Sequence, residues 1–431
     1  MQLTVDQMNK AASLAGTVPK RHGSDVGKAR RIARPLRLLV RQADCQAGDA
    51  TDTASPEPSP QQWQALGQAL MRGDPLADRV AHWVLKTGLR TAQPVLERAL
   101  NLGLDGVPEA PPEVRAFFAA IEATPDWFDP ALALEGARVC HLSGLDGLWV
   151  LRDGALMSSY QASAINQTLL LTGGLERGPQ RRVAETVRWW MDCTTPGGLS
   201  RFAAGFKSTA RVRLMHALVR ERVRHLPEWD TSQLGLPVNQ VDMQASYLGF
   251  SAVFLMGQRL FGIPVPRAEA AAVMHLWRYI GWLMGVEDEL MCDDEQQGRV
   301  LLYRNLISQA PPDDTSVVLA RALMDEPLHR RYRWAAGLQG RFNRARHLSL
   351  VSWFIGQQGM RNLGLPPTLP WYPLMLMAPM ALHSAALRLL PRLRAAWRYV
   401  ARRQQTCYRQ GLASADTPQP SLAAAGKQAR L

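Results

Sequence analysis

Apolar positions along this chain recur at the spacing of helix faces. In residues 61–104, Trp63, Leu66 and Leu70, then Val80, Trp83, Val84 and Leu85, keep one such stripe. Residues 111–123 repeat it with Phe117, Phe118 and Ile121. Asp129-Pro130 pairs a capping carboxylate with a first-turn proline, so a helix is expected from there through Cys140. Residues 144–171 are apolar and rich in small side chains such as Ala155, Ser158 and Ala162, which let another helix or a flat ligand approach closely. A helix over 180–193 ends at the turn Thr195-Pro-Gly-Gly198. Further on, 241–261 predicts a buried helix ended by Gly262-Ile-Pro264, and 267–284 a strongly apolar one with Trp277, Tyr279 and Trp282.

Residues 207–224 hold no Pro or Gly and are dense in Arg, Leu, Ala and Met, so they predict one helix of about five turns. Leu214, Met215, Leu218 and Val219 form its apolar stripe, and His216 lies among them. Arg213 stands one turn before His216 and Arg220 one turn after. A histidine in the apolar middle of a helix is costly unless its ring nitrogens find partners. It is either a core residue bonded to a carbonyl or an axial ligand to haem iron, with the flanking arginines on the propionates.

The ends of the chain differ from its middle. Residues 1–60 predict a mostly irregular basic segment, closed by the Pro/Ser/Asp-rich linker 46–60. Residues 61–405 then form one helical domain, and 406–431 a disordered tail. Residues 371–391 are nearly continuous apolar sequence followed by Arg392, Arg394, Arg398, Arg402 and Arg403. A spanning helix needs about 20 apolar residues. Pro373, Pro379, His383 and Arg388 favour instead a buried or interfacial helix, with peripheral membrane contact through 371–403.

Composition narrows the partners. The 47% apolar content is ample for a large core, and the formal charge of +13 suits an anionic surface. No zinc spacing, RNA-binding signature or aromatic-interleaved basic run accompanies that charge, so no nucleic-acid partner is expected. Five scattered cysteines (Cys45, Cys140, Cys193, Cys292, Cys407) suggest reduced thiols and a cytoplasmic setting. No secretory leader is recognisable at the N-terminus. His275 is expected to be structural. The acidic run 287–295 invites a metal but suits a solvated helix end better.

Arg211-Val-Arg-Leu-Met-His216-Ala-Leu-Val-Arg220 resembles the proximal-haem motif of the latex clearing protein family, the rubber oxygenase-like proteins. That family also includes fungal oxygenases that cut prenyl chains. Trp229-Asp230, Gly235-Leu-Pro-Val-Asn-Gln-Val-Asp-Met243, Tyr247-Leu-Gly-Phe-Ser251 and the helix from Leu276 to Val286 follow in the family's order. The resemblance spans roughly residues 150–294. It implies an all-α fold with a globin-like core, non-covalent haem b on His216, and Arg213 and Arg220 near the propionates.

The family's distal Arg-x-x-Lys-Thr pattern falls on Arg182, Glu185 and Thr186, with Glu185 in place of the lysine. An upstream acidic position falls near Asn166. No CxxCH occurs, so covalent haem attachment is excluded. The implied function is a haem-dependent oxygenase acting on a hydrophobic, isoprenoid-type substrate with dioxygen. A peroxidase or peroxygenase using hydrogen peroxide and Glu185 is the alternative, since a carboxylate beside Arg182 can relay protons. Glu185 could equally be paired with Arg181, Arg182 or Arg188. A third alternative is a non-catalytic haem-binding or membrane-associated helical protein.

Overall fold

The structure is a computed structural model that describes residues 18–34, 36–37, 40, 56–173, 178–332 and 334–412. Among these residues every regular element is helical and none is a strand, so the fold is all-α.

The N-terminal helices are α1 (Pro60–Ala69), α2 (Pro75–Thr87), α3 (Leu89–Leu102) and α4 (Pro112–Glu122). The apolar run 61–104 is thus three helices, broken at Asp74-Pro75, which caps α2, and at Gly88, whose φ of 89° ends it. Together with one face of a later helix, α2 to α4 enclose an apolar cluster around Val80, Leu96, Phe117 and Phe118. Helix α5 (Pro130–Leu142) is capped by Asp129, as its sequence predicts.

The centre is built from α6 (Ser163–Leu171), α7 (Pro179–Thr194), α8 (Ala204–Val223), α9 (Gln240–Phe250), α10 (Ala252–Leu260) and α11 (Arg267–Met284). Gly136 lets α5 approach α11 closely, because a Cβ there would sit 2.2 Å from the Ala272 carbonyl oxygen. The rest is α12 (Glu295–Ser308), α13 (Asp314–Asp325), α14 (Ala336–Asn362), α15 (Trp371–Leu389) and α16 (Pro391–Leu412).

Two expectations for the termini need correction. Part of the segment expected to be irregular is ordered: Val26 and Ala29 are buried on the short helix Val26–Ile32, and Arg21 pairs with Asp242 at 2.7 Å. At the other end α16 runs to Leu412, which is buried, so helix replaces the first part of the expected tail. Residues 1–17, 41–55 and 413–431, with most of the predicted linker, lie outside the described residues. Among the described residues no helix is long and apolar enough to cross a membrane.

Candidate functional site

Helix α8 has two working faces. Leu214 and Ala217 are buried in the α2–α4 cluster. Val212, Met215, His216 and Val219 instead line a cavity of about 410 Å³ between α6, α7, α9 and α11. Such a volume lies in the usual range for small-molecule sites. Its walls are mainly apolar, including Ile165, Leu169, Met243 and Ile280. One side is an aromatic panel: Phe250 stacks on Trp277 at 4.9 Å, with Trp189 edge-on to Phe250 at 5.1 Å.

Among the α8 side chains on the cavity wall, His216 is the polar one. Its Nδ1 is buried and has no hydrogen-bond partner. Burial first, then the charge of Arg220, lowers its pKa to about 4. The ring is therefore neutral at pH 7, and neutral imidazole is the form that binds a metal. A half-buried imidazole whose buried Nδ1 has no protein partner, on the wall of an apolar cavity, fits a haem ligand better than a core residue bonded to a carbonyl.

Helix α7 brings Arg182, Glu185 and Thr186 to the same cavity. Their spacing of three and one along a helix puts them on adjoining positions of one side. Glu185 also accepts from Arg181 Nε at 2.9 Å, an intrahelical pair with both partners part-exposed. Among the described residues Arg182 is the only arginine or lysine lining the cavity, and it has no carboxylate partner.

Arg213 and Arg220 do not line the cavity, contrary to the expectation that they face propionates. Arg213 forms a two-pronged ion pair with Asp74, through Nε at 2.6 Å and Nη2 at 3.0 Å. Arg220 pairs with Asp78 and donates to the Val238 carbonyl from Nε at 3.2 Å and Nη2 at 2.7 Å. The helix geometry explains the divergence. At about 100° per residue both arginines fall some 40–60° to one side of His216, while Val212, Met215 and Val219 fall to the other.

Asn166 is not in the cavity wall either; it donates to the Tyr160 carbonyl at 2.8 Å and to Ser316 at 3.1 Å. Thr168, two residues on, lines the cavity with its hydroxyl buried and unpartnered. No sequence signal marks Thr168 apart from its neighbours. His275 is structural as expected: its Nε2 lies 2.9 Å from the Asp129 backbone N, and its ring stacks on Phe128.

The segment from Gly235 to Met243 is mostly scaffold. Asn239 caps α9, accepting from the amides of Val241 and Asp242 at 3.0 Å each. Gln240 bridges the carbonyls of Gly73 and Gly285 at 2.8 and 3.0 Å. Asp242 lines the cavity but is engaged by Arg21. The acidic run after α11 is arginine-paired rather than simply solvated: Glu287 meets Arg72, Asp288 and Asp293 meet Arg278, and Glu295 meets Arg259 and Arg299. Among the described residues no group of three or more His, Cys, Asp and Glu could hold a metal ion.

The molecule is thus an all-helical protein that presents the His216 imidazole, and the side chains of Arg182, Glu185 and Thr186 from the preceding helix, to an apolar cavity. Residues 144–389 match the family described as ER-bound oxygenase mpaB/B'/Rubber oxygenase, catalytic domain, and the chain belongs to that family. The rubber oxygenase of Streptomyces sp. (strain K30) is 25% identical over 197 residues, which are 45% of this chain and 46% of that protein. The match therefore spans about half the length of that relative. The structure of latex clearing protein in its closed state agrees with a TM-score of 0.61 over 78% of this chain and 91% of that one, at 18% identity. That agreement shows the shared fold. Helices α2 to α4, with Asp74 and Asp78, precede the matched residues.

Proposed function

We propose that this chain is a haem b-dependent oxygenase that oxidises a hydrophobic, isoprenoid-type substrate, cleaving one of its C=C bonds with dioxygen. The observation that carries the reading is the buried, unpartnered Nδ1 of His216 on the wall of an apolar cavity that Arg182, Glu185 and Thr186 share. Membership of an oxygenase catalytic-domain family supports it. His216 would hold the haem, which when bound supplies the oxygen chemistry.

The chain's own residues prepare the remainder of the site. Ile165, Leu169, Met243 and the Phe250–Trp277 panel offer apolar contact to a prenyl chain and exclude water from it. Arg182 places a positive charge, unshared with any carboxylate of the described residues, where negative charge would develop. The Glu185 carboxylate and the Thr186 hydroxyl are placed to hold or pass a proton. The overall change would consume one dioxygen per double bond and leave one oxygen atom on each of two carbonyl products.

A second reading is favoured by one residue. Glu185 stands where the family has lysine, and its side chain lines the cavity, which suits proton transfer from hydrogen peroxide. A peroxygenase would then pass one oxygen atom from peroxide to the substrate and release water. Mass analysis of products from a prenyl alkene, with dioxygen or with hydrogen peroxide, decides between them. Paired carbonyl fragments formed with dioxygen alone support the oxygenase. An uncleaved oxygenated product formed only with peroxide supports the second reading, and no product with either oxidant defeats both.

A further inference from the structure

One face of the C-terminal hairpin is apolar yet uncovered by any described part of the fold. Helix α15 buries Pro373, Met380, Ser384 and Leu387. Its opposite face carries Trp371, Leu374, Met375, Leu382 and Leu389 at helical spacing, with no charged side chain along the stripe. Leu374, Leu382 and Leu389 are 57%, 72% and 79% exposed. The stripe continues onto α14, where the Phe342 ring lies 6.1 Å from that of Trp371 and Leu338 is also exposed. A helix face turned to water is normally polar, and an apolar patch of this extent marks an interaction surface.

The charges on the helix packed against α15 say what would cover it. Helix α16 packs back against α15 and carries Arg392, Arg398, Arg402 and Arg403, all exposed. Among the described residues none of these four has a carboxylate partner, whereas Arg388 and Arg394 share Glu269. An apolar helix face with unpaired arginines on the adjoining helix suits a surface that is oily inside and anionic at its rim.

We propose that this face of α14, α15 and α16 docks on an anionic phospholipid membrane, lying flat, with the leucines in the acyl boundary and the arginines on headgroup phosphates. A second copy of the chain is a poorer occupant, because a two-fold pairing would bring two sets of unpaired arginines together. No described helix can span a bilayer, so the contact is peripheral. The proposal rests on the hairpin alone and stands apart from the haem chemistry.

The test is co-sedimentation of the full chain with vesicles of phosphatidylcholine alone and of phosphatidylcholine with phosphatidylserine. Binding is expected to the anionic vesicles only, and it weakens as salt is raised. Leu374→Glu combined with Leu382→Glu should release the protein without moving its thermal melt, since both side chains already sit in water. Arg398→Gln with Arg402→Gln should weaken binding about twenty-fivefold, about fivefold per arginine. Leu102→Glu, an exposed apolar position elsewhere, should change nothing. The proposal is overturned by absence of sedimentation with either vesicle, by equal binding to both, or by binding that survives the paired glutamates. A dimer that the same glutamates dissociate, without vesicle binding, overturns it in favour of self-association.

Discussion

Arg213 and Asp74, 139 positions apart in sequence, meet in a bidentate ion pair that fixes the start of α2 to the helix bearing His216. Asp74 also accepts from the Ala77 amide at 3.3 Å as the cap of α2, so one carboxylate serves two elements. Both partners are nearly buried. Removing one member of such a pair leaves an uncompensated charge, at a cost of about 3–5 kcal/mol. Asp74→Asn should therefore lower the unfolding free energy by about 3 kcal/mol in a urea titration. A loss below about 1 kcal/mol would contradict the role given to this pair.

Arg220 holds a strained segment of the cavity wall. Val238 has a φ of 49°, which a β-branched residue seldom adopts, and its carbonyl accepts from both Nε and Nη2 of Arg220. Such a conformation costs about 1–3 kcal/mol, close to what burying a valine side chain gains. Val238→Gly should then leave stability within about 1 kcal/mol of the parent, where an ordinary part-buried valine would cost more. Arg220→Met should destabilise by several times that amount, again read by urea unfolding, because Asp78 and the Val238 carbonyl both lose their donor.

Glu185 separates the two oxidants. As a proton relay it would matter to peroxide chemistry by about 10²–10⁴-fold; as the partner of Arg181 alone it would matter little. Glu185→Gln should cut peroxide-dependent turnover by at least about a hundredfold if the peroxygenase reading holds. Under the oxygenase reading, dioxygen-dependent turnover stays near that of the parent. Initial rates with each oxidant, on parent and variant, give the answer.

The pH dependence of apo-protein stability carries a signature of His216. Burial holds its pKa near 4, below the ordinary value of 6.5. Between those values the unfolded chain binds a proton that the folded chain refuses, so this ring's contribution to stability is full above 6.5 and is lost as pH falls towards 4. His216→Gln removes that titration. Relative to the parent, the variant should gain stability when the urea midpoint is measured at pH 5 instead of 7.5. A difference between the two proteins that stays constant over this range would place the His216 ring in contact with water.

Much of the fold was legible in the sequence, because Pro, Gly and Asp mark the ends of helices at Asp129-Pro130, Thr195-Pro-Gly-Gly198 and Gly262. Breaks imposed by packing were not. The stretch 144–171 contains a π-helical turn at Val150–Leu156, against which α10 packs so closely that a Cβ on Gly257 would lie 2.3 Å from Val150. Arg152 in that turn is buried against Asp153, Glu326 and His347, two of them more than 170 positions away, and no local pattern announces such partners. At the site, the family resemblance pointed to His216, Arg182, Glu185 and Thr186, and all four line one cavity. Sequence spacing set Arg213 and Arg220 within about 60° of His216 but did not tell on which side of it the cavity lies. Asp74 and Asp78, at the start of α2 and outside the matched residues, then claim both arginines.

The most direct test of the account is the visible spectrum of the purified chain titrated with haem b, with and without dithionite, beside that of His216→Ala. The account predicts a Soret band that saturates at one haem per chain, shifts on reduction, and is absent from the variant while the variant's helical content is unchanged. No Soret band in the parent, or the same band in both proteins, would contradict it.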